Sequence, residues 1–323
     1  MLRPAALLLV IFAARLGAQQ AVAAPPQASQ APSAASATAP APAVDEAARA
    51  GEAALDAAAR FQRGETPRSA PASLHGVFGG SMRDDKGNLV QLAIERWYTR
   101  SPERLVTHRK EEVTGISSTV GRADGVVWGR DDKSGTVTVY TDDPELFDAD
   151  LELEAEQLRL TRLLLDACVL DALRPRLAHI RAAGHDVVTD PDGGKHPVTL
   201  VDATAPDEFF AAPQGAPPPA PGDEPPRLLL QFGIGTDDGA LWSLRIQPSQ
   251  RPDLPPMRLA FSLHGETRGG LRVPGNIKVF RDDEPDPALK LFIQEDAEGH
   301  MLFDLDTAID PALFARPAPP DGG

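Results

Sequence analysis

The sequence predicts a mainly β fold of the α+β class, a curled antiparallel half-barrel of about ten or more strands with a helical plug. One observation is the alternation of apolar and polar residues in the C-terminal half. Trp242, Leu244 and Ile246 alternate with Ser243, Arg245 and Gln247, and Met257, Leu259, Phe261 and Leu263 with Arg258, Ser262 and His264. Such a strand has one apolar and one wet face, as in an antiparallel sheet. The other is the stretch Leu151–Leu173, LELEAEQLRLTRLLLDACVLDAL. Leu160, Leu163, Leu164, Ala167 and Cys168 recur there at helical spacing and share one face. Acidic residues crowd its first half and Arg174 and Arg176 follow its end, the polarity a helix dipole favours.

Residues 1–23 read as a secretory signal peptide. Arg3 gives the positive start, Ala5–Ala14 the apolar run and Ala21-Val22-Ala23 the small-x-small cleavage site. The apolar run falls well short of the ~20 residues of a spanning helix, so export with cleavage near Ala23 is expected. No later segment is long and apolar enough to span a bilayer. Residues 24–44, rich in Ala and Pro, have nothing to bury and read as a disordered tether. A single domain is then expected over 45–316, beginning with an Ala-rich helix over 45–61 whose face of methyl groups needs docking, and followed by a frayed tail at 317–323.

Strands are expected at 88–99, 104–109, 125–129 and 136–140 before the apolar helix, and at 197–202, 227–235, 240–247, 256–264, 271–281 and 288–295 after it. In 88–99, Val90, Leu92 and Ile94 share one face. Asp238-Gly239 and Gly269-Gly270 are hairpin turns. Residues 213–226, PQGAPPPAPGDEPP, form a Pro-rich loop between strands.

Composition excludes several functions. The formal charge is −15, and loss of Arg3 and Arg15 with the signal peptide makes it −17. That argues against nucleic acid, whose affinity comes from cations on phosphates, and against electrostatic adhesion to anionic lipid. Cys168 is the only cysteine, so no intramolecular disulfide forms, no lipobox exists, and its place on the apolar face predicts a hidden thiol. The seven histidines stand singly, without metal-ligand spacing. Gly233-Ile-Gly235 precedes a strand rather than a helix and is read as part of a hairpin, not a dinucleotide loop. Asp190-Pro-Asp192-Gly-Gly-Lys lacks the ligands of a calcium loop and is read as a turn. No G-x-S-x-G elbow occurs. No catalytic residue, metal site or cofactor is assigned, and the chain is read as non-enzymatic.

What remains is apolar surface. A curled sheet meeting a helix can leave a pocket for an apolar chain, with Leu92, Ile94, Trp128, Leu160, Leu163, Leu164, Trp242, Leu244, Met257 and Phe261 as its candidate lining. For most of these the plain alternative is a packed core.

Arg100-Ser101-Pro102-Glu103-Arg104-Leu105, then Asp124-Gly125-Val126-Val127-Trp128, then the interrupting helix, then Gly270-Leu271-Arg272-Val273-Pro274 occur in that order. On this pattern residues 73–314 resemble the LolA/LolB-like superfamily of periplasmic lipoprotein-localisation carriers. The resemblance implies an unclosed barrel with a helical lid, a periplasmic location, and a lipid or acylated lipoprotein as partner of a soluble monomer. It also implies that Arg100 latches the lid, its guanidinium reaching backbone carbonyls of the plugging helix. The alternative is an envelope sensor or protein-interaction module of the same fold with a filled core, bound to a protein partner.

Overall fold

The computed structural model describes residues 42–64, 69–83, 88–139, 162, 166–190, 192–207, 225–250, 256–281 and 284–317. The signal peptide, the tether before Pro42, the Pro-rich loop up to residue 224 and the helix expectation before residue 162 lie outside them.

The sheet is two antiparallel meanders joined side by side. The first comprises β1 (Ser73–Arg83), β2 (Leu89–Arg100), β3 (Glu103–Glu111), β4 (Ser117–Ala123), β5 (Val126–Asp131) and β6 (Val137–Val139). The second comprises β7 (Ala178–Thr189), β8 (Lys195–Pro206), β9 (Arg227–Gly235), β10 (Leu241–Pro248), β11 (Met257–Glu266), β12 (Arg272–Arg281) and β13 (Leu289–Ile293). They meet where β1 pairs with β13, giving the order β6-β5-β4-β3-β2-β1-β13-β12-β11-β10-β9-β8-β7. β14 (Phe303–Leu305) pairs with the start of β1. β6 and β7 end this path without pairing to each other, so the sheet is large, antiparallel and unclosed, as expected.

Alternation explains the layering. In β13, Leu289, Leu291 and Ile293 are buried while Lys290 and Phe292 are exposed. In β9, Leu228, Leu230, Phe232 and Ile234 turn inward and Leu229 outward. Their inward side chains join Leu244, Ile246, Leu259, Phe261, Ile277 and Val279 in one core. Each such side chain contributes roughly 1.5–3 kcal/mol on burial. The turns follow the sequence signals: Gly239 (φ 73°) closes β9 to β10 and Gly270 (φ 71°) closes β11 to β12. A side chain at either φ would be strained, which is why glycine stands there. The Gly233–Gly239 stretch is the end of a strand and a hairpin, and Asp190 and Asp192–Gly194 lie in the turn between β7 and β8.

Helix α1 (Pro42–Arg63) covers the inner face. Leu55, Ala58 and Ala59 enter the main core, and the helix lies against β7, β8, β9 and β12. Its thinness is used at Gly51, where a Cβ would stand 2.8 Å from the Arg181 carbonyl carbon.

The expectation of one unbroken helix to Leu173 is corrected. Residues 166–168 are helical, Val169 leaves helical geometry (φ −134°, ψ 75°), and α2 resumes at Leu170–Leu173, followed by a 3₁₀ turn over Arg174–Arg176. The cause is Gln62 of α1. Its amide donates to the Ala167 carbonyl and its Oε1 accepts from Leu170 N at 3.0 Å. Those are backbone groups that a continuous helix would pair internally.

Candidate ligand face and its helical clasp

The inner face of β8–β13 is apolar. Val201, Ala203 and Ala205 of β8, the inward residues of β9, and Leu244, Ile246, Leu259 and Phe261 are all buried in the main core. Of the residues expected to line a ligand pocket, Leu92, Ile94, Leu244 and Phe261 belong to this core and Met257 packs half-buried against it. Leu160, Leu163 and Leu164 lie outside the described residues.

The two tryptophans expected there, Trp128 and Trp242, do not belong to this core. Trp128 is buried with Val106 and Phe314 in a second cluster, against Trp97 and Ile309. It pairs with Gly121, Gly121 with Val106, and Val106 with Trp97, a row on the side opposite Leu92 and Ile94. Gly121 leaves room for the indole, since a Cβ there would be 2.2 Å from the ring. Trp242 sits where the β9–β10 register shifts between Leu241 and Ser243, so it drops out of the alternation that keeps Leu244 and Ile246 inward. Its indole stacks on His196 (3.4 Å between centroids, 9°) and meets the edge of His264 at 5.2 Å. His264 in turn meets Phe61 of α1 at 5.2 Å. Burial pulls the pKa of His264 down, and its Nε2 lies 3.2 Å from the Leu241 carbonyl. The neutral ring therefore donates there from Nε2.

The helices over this face are fastened by polar contacts. Arg63 pairs with Asp171, and Arg174 pairs with Asp56 and with Glu52 at 2.7 Å. The Asp166 carboxylate, 1% exposed, is held between two guanidinium groups: Arg100 Nη2 reaches Oδ1 at 2.6 Å and Arg176 Nη1 reaches Oδ2 at 2.8 Å. Arg100 Nε also donates to the Pro71 carbonyl at 3.1 Å. Arg100 thus contacts the helical segment as the resemblance implied, but its partner there is the buried Asp166 carboxylate, and the carbonyl it meets, Pro71, belongs to the chain before β1. A carboxylate in an apolar segment needs such charge-assisted bonds. That requirement makes it a stronger target for Arg100 than a helix carbonyl.

Close by, the buried Tyr98 hydroxyl donates to Glu103 at 2.8 Å, and Arg162 lies 3.8 Å from the same carboxylate. Burial first, and then the Glu103 charge, push the phenol's pKa well above its ordinary range, so it stays a neutral donor. Burial likewise pushes the Cys168 thiol up and keeps it from forming a thiolate. That agrees with a hidden cysteine.

Asp166, Arg176 and Gln62 were not singled out from the sequence. Asp166 carried a readable signal: a lone acid within LLLDACVL, where burial demands a cationic partner. Gln62 carried none. Among the described residues, Asp296, Glu298 and His300 bring their ligand atoms within 4.8 Å of one another in a single turn. The Asp296 carboxylate there is already engaged by Arg268 and by the backbone N–H groups of Glu298 and His300.

No protein-family model and no curated protein sequence matches the chain. Solved structures do resemble it. A DUF1329 family protein from Desulfovibrio piger shares 12% identity at a TM-score of 0.40, over 83% of this chain and 97% of its own. A putative outer membrane lipoprotein-sorting protein domain from Vibrio parahaemolyticus shares 5% at 0.39, over 84% and 97%. A LolA superfamily protein from Nitrosomonas europaea shares 8% at 0.40, over 82% and 97%. At these identities and scores these structures lend no residue role to this chain, whose own sheet order and Arg100–Asp166 contact stand independently.

Proposed function

We propose that the protein is a non-enzymatic carrier of the cell envelope. It holds an apolar chain, from a lipid or the acyl group of a lipoprotein, between the inner face of β8–β13 and the helices over it. The observation that carries this reading is the mismatch between the face and its cover. The face is apolar throughout, whereas α1 and the 166–176 segment add to their own apolar contacts, such as Leu55, Leu170 and Leu173, a set of ion pairs and amide bonds, some of them partly in solvent. Arg100, with Arg176, serves as the latch through Asp166. Each CH₂ of an acyl chain entering such a face contributes roughly 0.8 kcal/mol, so a chain of about a dozen carbons is held without covalent chemistry. The apolar run of residues 1–23 supports export to the periplasm with cleavage near Ala23, and no helix among the described residues is long and apolar enough to cross a membrane.

Native mass spectrometry of protein purified from the periplasm tests this. A mass excess that organic extraction removes and that fragments as a lipid is expected, on a monomer beginning near Ala24. A bare polypeptide mass, unchanged after incubation with long-chain fatty acid, contradicts the carrier reading.

The alternative of an interaction module with a filled core has its own support: Phe232, Phe261, Leu244 and Leu259 are all 0% exposed, so the inner face is fully packed as it stands. On that reading the purified protein carries no lipid and instead retains a protein partner.

A further inference from the structure

Asp166 holds two cations, and they belong to different parts of the molecule. Arg176, at 2.8 Å from Oδ2, lies ten residues on in the same segment and moves with it. Arg100, at 2.6 Å from Oδ1, ends β2 and is fixed on the sheet side. Its Nε donates to the Pro71 carbonyl at 3.1 Å and its backbone N–H to the Ala72 carbonyl at 2.9 Å. When the segment lifts from the sheet, Asp166 therefore keeps a guanidinium partner and Arg100 loses its carboxylate.

Arg100 also stands at the end of the apolar face. Tyr98, two residues before it and so on the same side of β2, belongs to the main core, as do Leu74 of β1 and Leu173 of α2. β13, where the apolar face of the second meander begins, is two strands away, about 10 Å. Glu103, opposite Arg100 across β2 and β3, already accepts from the Tyr98 hydroxyl and faces Arg162. Among the described residues this group counts three cations, Arg100, Arg162 and Arg176, against two carboxylates, Glu103 and Asp166. It is a cationic locus in a chain of net charge −15.

We infer that Arg100 receives the anionic headgroup of the ligand, a carboxylate or a phosphate, and that Asp166 fills that place in the closed molecule. This rests on the carrier reading and adds the class of ligand to it: an amphiphile with a negative head. An acyl chain entering between sheet and helices parts Arg100 from Asp166. A neutral head leaves the guanidinium without an anion at the end of an apolar face, which is costly. A carboxylate or phosphate restores charge-assisted bonds of the geometry a guanidinium favours. Asp166 does not oppose the exchange, because Arg176 still neutralises it. The latch is opened by the ligands it selects.

Competition titration of the purified protein with palmitate, hexadecyl phosphate and hexadecanol, probes of equal carbon count, tests this. Both anions should bind at least about tenfold more tightly than the alcohol, the contribution of one charge-assisted bond. Arg100→Gln should bring the three to equal affinity, and Arg100→Lys, which keeps the charge, should retain part of the preference. Lys110→Gln, exposed on the opposite side of the sheet, should leave the preference intact. Circular dichroism melting shows whether each variant is folded, and the comparison in the unsubstituted protein decides even if Arg100→Gln is not. Equal affinity for all three probes there overturns the inference and leaves the carrier reading standing. Binding of none contradicts that reading and this inference together. Displacement of palmitate by inorganic phosphate would make Arg100 a site for the free anion, and it too overturns the inference.

Discussion

Along β9 and β10 the inward side chains are Leu228, Leu230, Phe232 and Ile234 against Leu241, Leu244 and Ile246, whereas the helices over that face are fastened by Gln62, Arg63, Asp166, Arg174 and Arg176. The strands of that face are held by apolar packing on the inner side, the helices by apolar packing and polar bonds together. Apolar packing within the sheet is cooperative and has no partner to exchange with in water. The clasp is made of directional bonds, and several of its ions sit partly in solvent: the Arg174 and Glu52 side chains are 35% and 42% exposed. Exposed pairs of that kind are each worth little. The apolar face of α1 is mostly alanine, which adds little burial per residue. On the carrier reading proposed above, the helices are the part that separates and the sheet is the part that must stay intact.

The largest expected effect lies in the sheet. Phe232→Ala, in the middle of β9 at 0% exposure, should lower unfolding free energy by about 3–5 kcal/mol. Urea titration reads it, and a loss below about 1 kcal/mol would mean that the inner face is not the stabilising core. Asp166→Asn comes next. Breaking a buried ion pair costs about 3–5 kcal/mol, but Arg100 and Arg176 are 18% and 25% exposed and can turn toward water, so about 2 kcal/mol is expected. The location of the effect matters more than its size: hydrogen exchange should speed up in α1 and residues 166–176 while β9–β13 stay protected. Equal deprotection of both regions would show that clasp and sheet form one unit.

Gln62→Ala should cost about 1–2 kcal/mol, because it leaves the Ala167 carbonyl and Leu170 N–H without their partner. Thermal melting measures it. The pH response is smaller and has a definite sign. His264 ordinarily titrates at 6.5, and burial holds it lower in the folded protein. The Asp238 charge and the Leu241 carbonyl oppose that shift, and His196 adds to it. The unfolded chain therefore takes up the proton first as pH falls. Stability is unaffected well above pH 6.5 and declines from there down to the depressed folded value. The His264→Gln variant should show a flatter melting temperature between about pH 7 and pH 5. An equally steep decline in the variant would place the pH dependence elsewhere.

Much of the sheet was legible because alternation is a direct image of a face. β2, β10, β11, β12 and β13 all fall within or close to the segments that alternate. β1 was not named as a strand, because Gly76, Gly79 and Gly80 blank its pattern. The Phe78 ring covers Gly76 and the Phe292 ring covers Gly79. β7 was missed as the edge strand of the sheet, exposed from Ala183 to Val187 and shifted in register twice against β8. Trp242 was assigned to the wrong surroundings because a one-residue bulge leaves no trace in a list of apolar positions. Trp128 was misplaced for a different reason: both faces of the first meander are apolar near β5, and only the pairing with Gly121 tells which one it takes. Arg100 was found through the resemblance, and its partner Asp166 could have been found through the energetics of burying a lone acid.

The most direct test of the separable cover is to map where an apolar chain lies. Photo-crosslinking with a long-chain fatty acid bearing a diazirine near its methyl end, followed by peptide mass spectrometry, should label inward residues of β9–β13 such as Phe232, Leu244 and Phe261 together with α1. In Asp166→Asn the same sites should be labelled, with exchange of the fatty acid accelerated. Labelling confined to the outer face, around Phe292, or absent altogether, would contradict a ligand held between sheet and helices.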